Sequence, residues 1–366
     1  MFITSAVPRM KQNTPLLQDI IPTLLLNDLL LASDADMPQE HNIPATIGNT
    51  ISDVALPGLE WCSTLSESLQ YNIDRQGILA IAPPQVTCHR NNEIRLPQMA
   101  NRALSENWLL KEMGDMHWEL LSRGLEQKSS EFADSTGNRL LAAFVRINYT
   151  ISPLSSFMEN EVLDMEGEIK KYGSHAYFSS VKGNCNEKSL QASLLTSFSQ
   201  RKDNDNGSML NGKPGSKTDH IGALEKAPDC YTEHRAMSKG RLSELNCGGH
   251  NFRITDTALH TILHNINPYY EINGVGLLYF AVYPVIADRC VAEYCCTNDI
   301  IDYNAAYHTT FRDIFYFANC NPDDRIIINL NTMEQIGDHT LKTTVSMYRE
   351  SDGKLMARVF TVKTKS

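Results

Sequence analysis

The stretch Pro268-Tyr-Tyr-Glu-Ile-Asn-Gly-Val-Gly-Leu-Leu-Tyr-Phe-Ala-Val-Tyr-Pro-Val-Ile-Ala287 decides the fold reading. From Val275 to Ala287 it is apolar at nearly every position, which predicts a helix buried on every side. Strand-like segments follow it at Arg312–Asn319, Arg325–Thr332, Thr340–Arg349 and Lys354–Val362, with Asp352-Gly353 marking a tight hairpin. Upstream, Leu104, Trp108, Leu109, Met113, Met116 and Leu120 recur at three- and four-residue spacing, one apolar face of a helix of about five turns. Strand patterns follow there too. Leu141–Ile151 alternates, with Ala143, Val145, Ile147 and Tyr149 on one face and Phe144, Arg146 and Asn148 on the other, and Val162–Tyr172 and His175–Lys182 form a hairpin pair. The two helix starts, near 104 and 275, and the two strand starts, near 141 and 312, are each 171 positions apart. A helix followed by antiparallel strands, twice in one chain, predicts an α+β protein: a double hot dog, in which a curved sheet wraps a long central helix in each unit.

Four segments are expected: an N-terminal extension over 1–92, a first unit over 93–200, a polar linker or insert over 201–250 and a second unit over 251–366. The extension carries an amphipathic helix pattern at Leu16–Leu31, a Pro-, Asn- and Ser-rich stretch, and a strand pattern at Ile78–Val86. No Asp-Ser-Leu attachment site supports reading it as a carrier protein. The insert is rich in Asn, Asp, Gly, Lys and Ser.

Composition narrows the function classes. With 42% hydrophobic and 21% charged residues, the 366-residue chain is neither disordered nor collagen-like. A net charge of −10 argues against general nucleic-acid binding. Nine cysteines contain no CxxC pair, so neither structural zinc nor a disulfide framework is expected, and adjacent Cys295 and Cys296 read as buried thiols. The apolar run Leu24–Leu31 is broken by Asn27 and Asp28 and is too short for a bilayer, which needs about 20 residues. The expected location is the cytoplasm, away from membranes.

The chemistry-bearing candidates sit at the two helix starts. Asn273, Gly274 and Gly276 are expected at the second, where free N–H groups and the helix dipole stabilise negative charge on a thioester oxygen. Close helix–sheet packing explains the glycines equally well. This start is similar to the Pro-Gly-Val-Leu helix start of hot-dog dehydratases, with Asn273-Gly274-Val275 in its place and Tyr279 where those enzymes carry their acid. With no His-Phe-Pro before it, dehydration loses its acid–base pair. At the first start, Ser105 suits capping, Asn107 suits a substrate carbonyl, and His117 reads as a partly buried histidine or a general base.

Longer blocks carry a further resemblance. Leu96-Pro-Gln-Met99, Leu104-Ser-Glu-Asn-Trp-Leu-Leu-Lys-Glu112, Gly114-Asp-Met-His-Trp118, Ile272-Asn-Gly-Val-Gly-Leu-Leu-Tyr-Phe280 and Arg312-Asp-Ile-Phe-Tyr-Phe-Ala-Asn-Cys-Asn-Pro-Asp323 resemble the LnmK-type bifunctional acyltransferase/decarboxylases of polyketide biosynthesis, over roughly residues 96 to 363. The resemblance implies a double hot dog that decarboxylates methylmalonyl-coenzyme A and leaves the acyl group on the phosphopantetheine thiol of an acyl carrier protein, without a cofactor. It implies a strand tyrosine as acyl acceptor, matched here by Tyr149, whose alternative is a core aromatic. Arg146 and Arg312 are candidates for a phosphate or for a solvated strand edge. The N-terminal extension and the insert depart from the family. The rival expectations are a hot-dog thioesterase and a noncatalytic acyl-carrier or acyl-coenzyme A binding module. Malonyl against methylmalonyl, the carrier and the oligomeric state stay open.

Overall fold

A computed structural model describes the backbone of residues 71–73 and 79–81, and residues 85–300 and 307–365. The helix expected at Leu16–Leu31 lies outside the described residues, whereas Leu79–Ile81, within the expected Ile78–Val86 strand, pairs with Tyr71–Ile73.

The main elements are β1 (Thr87–Glu93), α1 (Glu106–Leu125), β2 (Leu141–Ile151), β3 (Val162–Tyr172), β4 (Ala176–Cys185), β5 (Lys188–Lys202), β6 (Asp205–Asn211), α2 (Asp229–Ser238), β7 (Glu244–Cys247), β8 (His250–Arg253), β9 (His260–Asn265), α3 (Val282–Thr297), β10 (Tyr307–Tyr316), β11 (Arg325–Ile336), β12 (Thr340–Arg349) and β13 (Leu355–Lys365). Ten of the strands form one continuous run, β1-β3-β4-β5-β2-β10-β13-β12-β11-β9, with β6 added on β5. The same pattern occurs twice in it. In each half a strand, a helix and four strands follow in sequence, and the strands line up as first, third, fourth, fifth, second. The halves meet where β2 and β10 pair antiparallel about Ile147 and Ile314.

Helix α1 packs on β1, β3 and β4, and α3 on β9, β11 and β13, and the buried faces of both helices share one apolar core. Ser105 caps α1 by accepting a hydrogen bond from the Trp108 N–H at 3.3 Å. The apolar positions read from the sequence, Leu109, Met113, Met116 and Leu120, are fully buried. Gly353, at φ 68°, supplies the left-handed conformation that turns β12 into β13, at the expected Asp352-Gly353 hairpin.

Three expectations need correction. The second helix begins at Val282, not Val275, and it is buried on one side only, with Val285 exposed. Proline explains the start. A helix from 275 would put Pro284 in its interior, where the missing N–H breaks the ladder, whereas a start at 282 leaves it in the first turn. In β2 a bulge between Phe144 and Arg146 breaks the alternation and turns Phe144 onto the side of His117, Trp118 and Phe280. Residues 201–250, expected as a polar linker or insert, hold regular structure. They carry β6, α2, β7 and the start of the β7–β8 hairpin, and Met237, Leu245 and Phe252 build a second apolar cluster with Phe311, Phe315 and Phe360 on the other side of the sheet. The eight described cysteines are free thiols; Cys295 is buried, but Cys296 is exposed.

Candidate active site

Tyr149 stands two residues beyond Ile147 on β2, and Tyr316 two residues beyond Ile314 on β10. The two tyrosines therefore occupy equivalent places about the seam, one near the start of each helix. Their surroundings differ.

On the Tyr149 side the seam is closed by charge pairs. The Tyr149 hydroxyl donates to Glu106 at the start of α1. Arg312, fully buried, donates to both Glu106 oxygens at 2.7 Å and to both Asp288 oxygens at 3.1 and 3.0 Å. Lys363 adds a 2.8 Å bond to Asp288, and Thr309 a 2.9 Å bond to Glu106. Two cations thus face two carboxylates, the condition under which buried charge is tolerated. Burial opposes ionisation of Asp288, but Arg312 and Lys363 hold its carboxyl well below the usual range. Burial and the neighbouring Glu106 push the Tyr149 hydroxyl well above 10, so it is a protonated donor.

The other first-half candidates have structural partners or none. Ser105 is occupied as the cap. Asn107 is half-buried, and its Oδ1 is buried without a hydrogen-bond partner. His117 is fully buried between Ser179 (2.6 Å) and Thr196 (2.8 Å), and burial drives its pKa down to about 3, leaving a neutral ring that closes a hydroxyl network.

On the Tyr316 side a cavity of about 280 Å³ opens, walled by Trp118, Phe144, Leu278, Phe280 and Tyr283. Tyr316 also lines it, and its hydroxyl donates to the Phe280 carbonyl at 3.0 Å. Its polar members are Asn273, Asn319 and His234, with Ser197, Ser199 and Asn211 from β5 and β6. Asn273 lies in the loop before α3, not at a helix N-terminus, and its Oδ1 accepts from the Val275 and Leu277 N–H groups at 3.1 and 3.0 Å. Gly276 permits that turn at φ 79°. Asn319, just past β10, accepts from the Leu278 and Cys320 N–H groups at 3.1 and 2.8 Å. In both amides the oxygen is held by backbone, which leaves the NH₂ end as the donor for a ligand. His234, from α2, lies 2.9 Å through Nε2 from the Tyr316 carbonyl. A carbonyl only accepts, so Nε2 carries the hydrogen and Nδ1 the lone pair. Burial lowers the His234 pKa, so the ring is neutral near pH 7.

A second cavity of about 320 Å³ shares Trp118, Ala142, Asn273 and Leu277 with the first, and adds Gly274, Val275 and Tyr279. The second cavity gathers Asn273, Gly274 and Tyr279 of the sequence candidates, the last beneath Lys111 at 5.3 Å. Gly276 instead faces Arg201. Tyr149, Ser105 and Asn107 belong to the closed side, and His117 is buried between α1 and strands β4 and β5, against Phe144. Asn319, Tyr316 and His234 escaped the sequence reading. The first two fall inside the Arg312–Asp323 block, whose residues gave no role by spacing alone, and His234 lies in a segment whose composition reads as linker.

No protein-family model and no curated protein matches the chain. Solved structures do. A 12:0-ACP thioesterase from Umbellularia californica aligns at TM-score 0.50 with 12% identity, over 77% of this chain and 95% of that one. A protein described as an oleoyl thioesterase from Lactobacillus plantarum aligns at TM-score 0.52 with 10% identity, over 77% and 97%. At such identities the likeness is one of architecture, and it identifies the chain as a hot-dog fold protein.

Proposed function

We propose that the chain is a tandem of two hot-dog units that hydrolyses an acyl thioester carried by coenzyme A or by an acyl carrier protein. One observation carries this reading: two amides with their oxygens tied down, Asn273 and Asn319, line the same apolar cavity as a neutral histidine with a free Nδ1. Water attacking the thioester carbonyl gives its proton to His234 Nδ1, and the carbonyl oxygen takes up the electron pair as an oxyanion. The two NH₂ groups stabilise that charge. When the tetrahedral intermediate collapses, the C–S bond breaks, the thiolate leaves with the electron pair and the imidazolium returns the proton. The aromatic walls suit an apolar acyl group. The chemistry uses no cofactor.

A second reading is favoured by the long sequence blocks resembling LnmK-type enzymes: decarboxylation of methylmalonyl-coenzyme A and transfer to a carrier, with the same amides holding an enolate and Tyr149 as acyl acceptor. One experiment separates them. The protein is incubated with straight-chain acyl-coenzyme A thioesters and with methylmalonyl-coenzyme A, with and without holo carrier protein. Free thiol is followed, and the products and the intact carrier are weighed by mass spectrometry. Hydrolysis gives free acid, free thiol and an unloaded carrier. A carrier gaining propionyl mass overturns the hydrolase reading in favour of the second.

A further inference from the structure

The helix that carries His234 is held at two points. Met237, in the last turn of α2, is buried in the second apolar cluster. At the first turn, the Arg146 Nη1 donates to the Cys230 carbonyl at 3.2 Å and to the Glu233 carboxylate at 2.5 Å. His234 lies between these anchors, next to Glu233. Arg146 is itself immobilised. It is fully buried, and its Nε and Nη2 donate to the two Asp313 oxygens at 2.9 and 2.7 Å. Arg146 on β2 and Asp313 on β10 each stand one residue before the central pair of the seam, Ile147 and Ile314, so the guanidinium is tied to both strands. It also lies 4.2 Å over the Phe315 ring. The His234 imidazole faces that ring, within 6° of parallel at 6.2 Å, and stacks on Phe317 at 5.2 Å. One side chain thus holds both the helix that carries the imidazole and a ring that the imidazole faces.

We propose that Arg146, acting through Glu233, is the positioning residue for His234: it fixes α2 so that the imidazole meets the Tyr316 carbonyl through Nε2 and keeps Nδ1 free for the cavity. The inference rests on the thioester reading, in which that Nδ1 takes the proton from water, and adds the residue that aims it. Successive helix residues project about 100° apart, so anchoring Glu233 sets the direction in which His234 leaves the helix. The bond to the Cys230 carbonyl sets the helix's height along the sheet. Asp313 alone neutralises Arg146, and the arm of the fork that Asp313 leaves over is the one that reaches α2. Lysine keeps the charge but cannot reproduce that fork.

The test reads the imidazole itself. Nitrogen-15 spectra of the histidine rings, with the His234 signals assigned from His234→Gln, are compared near pH 7 in wild type, Glu233→Ala and Glu233→Gln, alongside kcat, KM and melting temperature. Glu233 is partly exposed and both variants keep the Arg146–Asp313 pair, so folding is expected to survive. Wild type is expected to show His234 as one neutral tautomer with its hydrogen on Nε2. Glu233→Ala is expected to mix the tautomers and to lower kcat by about tenfold or more at an unchanged KM. Glu233→Gln, whose amide oxygen still accepts from Arg146, is expected to restore both. Arg146→Lys serves as the second variant and should share the alanine signature. A wild-type His234 spectrum and kcat in Glu233→Ala, or in a folded Arg146→Lys, overturns the inference. So does a glutamine variant as impaired as alanine, which would make charge, not the tether, responsible. The spectra need no turnover: tautomers that mix in a protein releasing no acid sink the hydrolase reading and keep the tether, while hydrolysis with an unmoved spectrum does the reverse.

Discussion

Tyr149 and Tyr316 hold equivalent places on two paired strands, and a single residue makes them different. Arg312, opposite Tyr149 in the ladder, draws Glu106 and Asp288 into the seam and fills one side with paired charge. Removing it leaves Glu106 without a cation and Asp288 with Lys363 alone, so Arg312→Met should lower unfolding free energy by about 3 to 5 kcal/mol. Tyr149→Phe leaves Glu106 its bonds to Arg312 and Thr309, so a loss near 1 kcal/mol is expected, read as a lower urea midpoint with turnover of the folded protein retained. A tenfold fall in kcat at an unchanged midpoint would instead return Tyr149 to the role of acyl acceptor. On the open side the decisive residue is His234. Burial favours its neutral form, and Arg146 works in the same direction, while its bond to the Tyr316 carbonyl and Asp313 oppose them. A depressed pKa keeps the base form present to more acidic pH, so kcat/KM should hold through the ordinary imidazole value of 6.5 and fall only below it. Its measurement against pH, with His234→Gln expected to lose about 100-fold or more at every pH, checks the assignment. An inflection above 6.5, or a variant as active as wild type, would rule His234 out as the base.

At the scale of elements, α1 reaches the cavity through a glycine. A Cβ at Gly114 would fall on the Phe280 ring, which walls the cavity and packs on Phe144 and Trp118. Gly114→Ala should therefore cost about 1 to 3 kcal/mol of stability and, by pushing the ring into the cavity, raise KM more for long acyl groups than for short ones. Equal KM changes across chain lengths would separate Phe280 from acyl binding. The legible elements share a physical cause. The bounds of Leu141–Ile151, Val162–Tyr172 and Thr340–Arg349 were readable because turn residues flank them, although the bulge at Phe144 breaks the alternation within the first. β5 went unread because Ser, Thr and Gln at Ser189, Gln191, Ser193, Thr196 and Ser199 dilute its alternation, although its inward positions, Leu190, Leu194 and Phe198, are buried. The start of α3 was misplaced because hydrophobicity cannot distinguish a buried loop from a helix; Gly276 and Pro284 were the signals that could have corrected it.

Across the whole molecule, one sheet runs unbroken through both halves, and the cavity lies where the start of α3 meets β2. The groups proposed to act on the thioester come from an insert helix at 234, a loop at 273 and a strand end at 319, segments whose meeting no local pattern announces. That is why Asn273 was found as a helix-start candidate while its partners were not. The hot-dog fold was legible from repeated element order; the asymmetry between a closed and an open side of the seam is a tertiary property. The most direct test of this account is the steady-state kcat for acyl-coenzyme A hydrolysis in wild type and Asn319→Asp. Aspartate keeps the oxygen that accepts from Leu278 and Cys320, and so the loop, while replacing the NH₂ donor with a second acceptor. The account predicts release of free acid by wild type and about a 100-fold or larger loss of kcat in the variant at a nearly unchanged melting temperature. A variant that turns over as fast as wild type would contradict it, and so would a wild type that releases no acid from any acyl thioester.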